Sequence, residues 1–205
     1  KNCDALLSLG ATLSKRGVNL YLLPAYSAQS FYAHQLPDHA PVLDERALFS
    51  SISRQLGSQY QLVDTYKALS AHQDENIYFS TDHHWTQQGA YIAYQQLADA
   101  MELPVRNYAA SGVTYDFYGS LYSRAPLPWQ APDSFAYYEL PDLPITVTYV
   151  DTGQTASTPY QQEALNTKDK YALFLGSNYA EIRIQNSDAL GGRKLLVLKD
   201  SFAHA

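Results

Sequence analysis

The chain has 205 residues, 46% of them apolar, and carries 20 acidic against 14 basic side chains for a formal net charge of -6. That length suits one domain, or slightly more, around a buried core. With no basic run to grip a phosphate backbone, nucleic acid is excluded as a partner. No stretch approaches the roughly eighteen apolar residues of a membrane span, and the first ten residues lack the basic start and long apolar centre of a secretory signal. Cys3 is the single cysteine. An intrachain disulfide framework is therefore excluded, structural zinc and thiol chemistry lose support, and Cys3 reads as an ordinary core or surface residue.

Residues 4–16 place Leu6, Leu7, Leu9 and Leu13 ahead of Lys15, Arg16 and Gly17, an amphipathic helix closing on a glycine. Residues 18–23 are an almost unbroken apolar run stopped by Pro24 and read as a buried parallel strand. Residues 25–42 show no period. Asp44 is placed to cap a helix that runs to Leu56 with Ala47, Leu48, Ile52 and Leu56 on one side. A strand at 60–64, a short helix at 65–72 and an extended piece at 77–79 follow, ending at Ser80, Thr81, Asp82, His83 and His84. Thr86 can cap the next helix, whose stripe of Ala90, Tyr94, Leu97, Ala98 and Met101 runs to the Pro104 stop.

Residues 105–135 are rich in Gly, Pro, Tyr and Ser without a lasting period, and read as a long ordered loop. Strands are expected at 135–140 and 145–150, with Pro141 and Pro144 between them favouring an antiparallel or edge pair. Residues 151–170 read as polar connection. Short extended pieces are expected at 171–175 and 181–184, and Gly191 and Gly192 turn the chain into a strand at 194–198. No fixed-period repeat or low-complexity tract is present, which removes solenoids and propellers. The pattern implies an α/β domain of three layers with a parallel sheet and an inserted antiparallel element.

Two constellations carry chemistry. Asp82, His83, His84 and Trp85 lie between an extended piece and a capped helix, a position where open α/β sheets hold ligands. An aspartate two residues before a histidine can present both side chains in one direction, so Asp82 can accept the Nδ1 proton of His84 while His83 points away. The alternative is that both histidines cap the helix or satisfy buried backbone groups. Lys199, Asp200 and Ser201 follow the expected strand at 194–198. A serine at such a turn can hold its hydroxyl above a sheet edge, with backbone N–H groups ready for oxyanion charge. The same position also suits an N-cap serine, with Asp200 bracing the turn.

The segments YFSTDHHWTQQGAYIAY at 78–94, FYGSLYSR at 117–124 and LLVLKDSFAHA at 195–205 resemble the DHHW family of bacterial proteins. That family is similar to the alginate-acetyltransferase-like branch of SGNH hydrolases. The resemblance implies an SGNH-hydrolase-like domain with a circularly permuted motif order, because ordinary SGNH hydrolases place the serine first and the Asp and His last. It also implies a catalytic triad of Asp82, His84 and Ser201, and one domain over residues 1–205 that is incomplete at its C-terminus. The Gly-Asn-His pattern of such enzymes corresponds here to Gly176, Ser177, Asn178 and Tyr179, without the histidine.

The expected function is serine-dependent O-acyl esterase or O-acetyltransferase chemistry on extracellular or cell-envelope glycans of a bacterium. His84 deprotonates Ser201 for attack on an ester, Asp82 fixes the imidazole tautomer, and the N–H of Ser201 with Gly176 and Asn178 receives the oxyanion. Trp85, His83 and Asp200 support these groups. No cofactor or metal is expected; a small acyl donor or acetylated glycan is, and so is a membrane-linked partner reached through segments outside this chain. Tyr26, Tyr32, Tyr115, Tyr118 and Tyr122 are candidates for an aromatic wall against sugar rings, with ordinary loop packing as the alternative. Two other functions compete: a non-catalytic glycan-binding or structural role, and a metal-dependent phosphoesterase using Asp82 and the two histidines.

Overall fold

The computed structural model describes residues 2–108, 110–138, 143–176, 178–189 and 192–205. The chain divides into two compact units: one comprises the residues up to Ile77 with Gln88–Arg106, the other Tyr78–Gln87 with Asn107–Ala205.

The first unit begins with α1 (Asn2–Ser14) and β1 (Tyr21–Leu22), followed by α2 (Gln29–Tyr32) and α3 (Glu45–Leu56). The Asp44 carboxylate accepts from the N–H of Ala47 at 2.9 Å, which caps α3. Then come β2 (Gln61–Leu62), α4 (Tyr66–Ala71) and α5 (Gln87–Ala100). The expected parallel pairing is present between β1 and β2, with Tyr21 opposite Gln61 and Leu22 opposite Leu62. The strand is shorter than the apolar run at 18–23 implies: only two residues find partners, Val18 is exposed, and Pro24 cannot donate to a ladder. Leu56, Val63, Leu69, Ile92 and Ala93 are buried in this unit, as are Tyr26 and Phe31.

In the second unit, β3 (Ala110–Phe117) and β4 (Asp133–Tyr138) pair antiparallel, with α6 (Ser120–Arg124) between them in sequence. A second sheet places β5 (Ile145–Tyr149) between β6 (Gln154–Ala156) and β7 (Ile182–Asn186), all antiparallel. Residues 105–135 are thus not one long loop. Their missing period has a local cause: β3 is interrupted by register shifts after Ala110 and after Thr114, which break the alternation a regular strand would show.

Three further expectations are corrected. The strands expected at 135–140 and 145–150 do not pair with each other among the described residues: the ladder partner of β4 is β3 and those of β5 are β6 and β7; residues 139–142, with Pro141, lie outside the described residues. Residues 171–173 belong to a 3₁₀ turn, Lys170–Leu173, that buries Tyr171 and Leu173, and only Phe174 makes a bridge, to Tyr160. Residues 194–198 belong to no ladder, and Leu196 and Leu198 are 82% and 78% exposed. Apolar composition favours a strand only where backbone partners exist to complete it; Gly191, expected to turn into this segment, lies outside the described residues. The core of this unit is a ring cluster of Phe79, Phe117, Phe135, Tyr171 and Phe174 with Leu173 and Ala164. Phe79 and Phe135 stack within it at 5.8 Å. Among the described residues no helix is long and apolar enough to cross a membrane.

Candidate active site

The segment leading into α5 folds back on itself: Tyr78 bridges Trp85, and the N–H of Phe79 donates to the carbonyl of His84 at 3.3 Å. The tight turn between them carries Asp82 and His84 on one side, both buried. Asp82 Oδ1 accepts from His84 Nδ1 at 2.6 Å and from the His84 backbone N–H at 3.0 Å. Since a carboxylate only accepts, Nδ1 carries the proton and Nε2 of the neutral ring is left as an acceptor. His84 Nε2 lies 2.7 Å from Ser201 Oγ, 117 positions away in sequence. Asp82, His84 and Ser201 therefore form one hydrogen-bonded relay. Burial would raise the Asp82 pKa, but the His84 side chain and the backbone N–H groups of Ser120 and His84 outweigh it and hold the carboxyl well below the usual carboxylate range.

The segment 117–124 holds this turn in place. Ser120 donates its N–H to Asp82 Oδ2 at 2.7 Å, and Gly119 donates to Thr81 Oγ1 at 3.1 Å. The N–H groups of Leu121 and Tyr122 both reach the carbonyl of Thr81. The approach is close enough to require glycine, because a Cβ at position 119 would fall 2.5 Å from Asp82 Oδ2. From below, Asp133 at the start of β4 accepts from the N–H of Ser80 at 2.9 Å, the N–H of Thr81 at 2.7 Å and Thr81 Oγ1 at 2.6 Å.

Ser201 opens a 3₁₀ turn, Ser201–His204, whose N-cap is Asp200: its carboxylate accepts from the N–H of Phe202 at 3.0 Å. Trp85 ties this turn to the relay by donating Nε1–H to the Phe202 carbonyl at 2.9 Å and packing edge-on against the Phe202 ring. Tyr171 stacks on His84 with ring centroids 4.1 Å apart, and donates its hydroxyl to the Ser201 carbonyl at 3.2 Å. Burial, with the Asp82 charge adding to it, raises the Tyr171 pKa and keeps that hydroxyl a donor.

His83 does not reach Ser201 and does not point away either. Its ring lies 3.8 Å from that of His84, and its Nδ1 meets Ser120 Oγ at 2.6 Å. His84 thus has both the tilted His83 ring and the stacked Tyr171 ring against it. Burial and the nearby His84 lower the His83 pKa.

The relay opens on a cavity of about 460 Å³, within the size range of small-molecule sites. Gly176 and Asn178 line the same cavity, as do Tyr118 and His204; Ser177 lies outside the described residues. Asp82, His83 and His84 are also the one group among the described residues whose donor atoms, within 4.8 Å of one another, come close enough to hold an ion. Those atoms are already engaged, Asp82 Oδ1 with His84 Nδ1 and His83 Nδ1 with Ser120, so the arrangement fits a proton relay better than a chelate.

Asp133, Thr81, Gly119, Ser120 and Tyr171 were not legible as site residues. The segment containing Gly119 and Ser120 carried a signal in its resemblance to the DHHW family, though without a role. Asp133 lies in an unpatterned stretch and Tyr171 opens an expected extended piece, and neither carried such a signal.

The turn bearing Asp82 and His84, the downstream serine and the mixed α/β framework define an SGNH-hydrolase-like protein. The family model described as ALGX, the SGNH hydrolase-like domain of acetyltransferase AlgX, matches residues 1–181, and the chain belongs to that family. The match ends before Ser201. A DHHW family protein from Eubacterium siraeum is similar in structure at 27% identity, with a TM-score of 0.76 over 91% of this chain and 64% of that one. Bacillus cereus PatB1 shares the fold at 22% identity, with a TM-score of 0.78 over 98% of this chain and 73% of that one. The O-acetyltransferase domain of Pseudomonas putida AlgJ does so at 22% identity, with a TM-score of 0.59 over 70% of this chain and 57% of that one. The chain thus spans 64% of the length of the DHHW family protein. None of the curated proteins compared with the chain is similar to it.

Proposed function

We propose that this chain is the serine-dependent catalytic part of an O-acyl transferase or esterase acting on extracellular or cell-envelope glycans. The observation that carries the reading is the continuous hydrogen-bonded line from Asp82 through His84 to Ser201, with contacts of 2.6 and 2.7 Å. A serine hydroxyl is a weak nucleophile near neutral pH and needs a base within reach. His84 Nε2 takes the Ser201 proton as Oγ attacks the acyl carbonyl, and Asp82 steadies the imidazolium that forms. The Ser201 N–H and groups from Gly176 and Asn178 receive the oxyanion. Collapse expels the donor's oxygen, which takes its proton from His84, and leaves an acyl ester on Ser201. His84 then deprotonates the acceptor as it attacks the acyl ester, and collapse breaks the bond to Ser201 Oγ, which regains its proton from His84: water gives hydrolysis, and a sugar hydroxyl gives transfer.

Family membership supports the acyl chemistry, and likeness to the O-acetyltransferase domain of AlgJ supports transfer. The setting that fits is the outside or envelope of a bacterial cell, with a small or membrane-linked acyl donor. The test is intact-mass analysis after brief exposure to p-nitrophenyl acetate, followed by peptide mapping. An acetyl adduct at Ser201 is expected on the wild type and on H83A, and its formation should slow roughly 10²- to 10⁴-fold in H84A. Unchanged labelling of folded S201A overturns the assignment.

A further inference from the structure

The chain contains two tryptophans, and they sit in opposite environments. Trp85 is buried at 3% exposure, whereas Trp129 is 79% exposed. Trp129 lies in the segment 125–132, APLPWQAP, which has three prolines and no charged side chain. The Gln130 N–H donates to the Leu127 carbonyl at 3.0 Å, closing a turn with Pro128 and Trp129 at its tip. Proline restricts the backbone beforehand, so little conformational freedom remains to be lost when the tip meets a ligand.

The later half of this loop is tied to the site at two points. Tyr118, which lines the reaction cavity, donates its hydroxyl to the Gln130 carbonyl at 3.2 Å and packs against Tyr122 with ring centroids 4.2 Å apart. Three residues after Gln130, Asp133 holds Ser80 and Thr81 just before Asp82. The loop is thus a braced arm joined through Tyr118 to the cavity, with Leu121 before it and Leu127 within it also exposed.

We propose that Trp129, with Tyr118 and Tyr122 leading to the cavity, forms a subsite for a neutral pyranose ring of the glycan acceptor. This rests on the acyl-transfer reading above. The C–H face of a pyranose is flat and apolar and suits an indole face, and a loop without charge has nothing to pair with a carboxylate sugar. Tyr118, which lines the cavity and bonds Gln130 beside Trp129, is the link between this subsite and the site where the acceptor hydroxyl would react.

Binding is read without turnover, so its failure and the failure of Ser201 acylation are separate results. The S201A protein is titrated with cellotetraose and with chitotetraose while tryptophan emission is recorded. The expected result is a saturable blue shift from the exposed indole with at least one of these neutral sugars. By calorimetry the affinity should fall roughly tenfold in W129A, the size of one lost aromatic contact. Emission from buried Trp85 reports that W129A is folded. The proposal is overturned if neither sugar shifts the emission at millimolar concentration, or if W129A binds as tightly as its parent. It is equally overturned if sedimentation shows self-association that W129A abolishes, since Trp129 would then be a protein contact.

Discussion

Tyr171 lies flat against His84, their planes 7° from parallel, while its hydroxyl holds the carbonyl of Ser201. One side chain therefore sets the position of both the His84 ring and the Ser201 backbone. Y171F keeps the ring contact and gives up one hydrogen bond, worth about 1 kcal/mol; its acylation rate should stay within about tenfold of wild type. Y171A frees the imidazole on one face and should lower kcat roughly 10²-fold with little change in KM, because misplaced reacting groups lose rate. Steady-state kinetics on p-nitrophenyl acetate separates the two variants, and equal losses in both would show that the stack contributes nothing.

Gly119 should not tolerate a methyl group. Its φ of -85° is open to any residue, so the penalty is steric: the new Cβ would meet the Asp82 carboxylate. G119A is expected to displace Asp82 and slow Ser201 acylation by roughly 10²-fold. A stopped-flow acylation trace at the wild-type rate in folded G119A would contradict this.

The Asp82 carboxyl links the relay to acid stability. Its folded pKa lies below the 3.8 of the free group, so the folded state favours the ionised form. The resulting stabilisation is complete above that value and is lost as pH falls from there through the folded pKa. Urea unfolding should show wild type losing stability below about pH 3.8 more steeply than D82N. In the same D82N protein, acylation should fall roughly 10⁴-fold, the consequence of the wrong histidine tautomer.

Asp133 is a structural counterpart with no contact to Ser201. Truncation in D133A leaves the N–H groups of Ser80 and Thr81 without their acceptor, at a cost on the order of 3 kcal/mol or more. Denaturant titration should show that loss, and activity should fall with it because Thr81 also holds Gly119 and the start of α6.

The sequence was most legible where chemistry or periodicity is local. The Asp82–His84 spacing encodes a turn that aims both side chains together, and the apolar stripe of α5 announces a helix. What was hidden depends on pairing. Residues 194–198 have the composition of a buried strand yet remain outside any ladder, and β3 is a strand that its bulges disguise as a loop. Gly119 shows the same limit at the site: its need for glycine comes from Asp82, 37 positions away, and no local pattern records such a distance.

The order of the relay along the chain has a consequence for synthesis. Asp82 and His84 precede Ser201 by more than a hundred positions, and a ribosome makes them first. The hydroxyl that they would activate is the last of the three to leave the tunnel. On the proposed reading, a partly made chain therefore holds a base without a nucleophile, and reactivity is withheld until the long intervening segment has folded. In refolding from denaturant, the same span makes closure of the relay a late, non-local event. Helical signal should return before the protein regains its ability to react with an acylating probe.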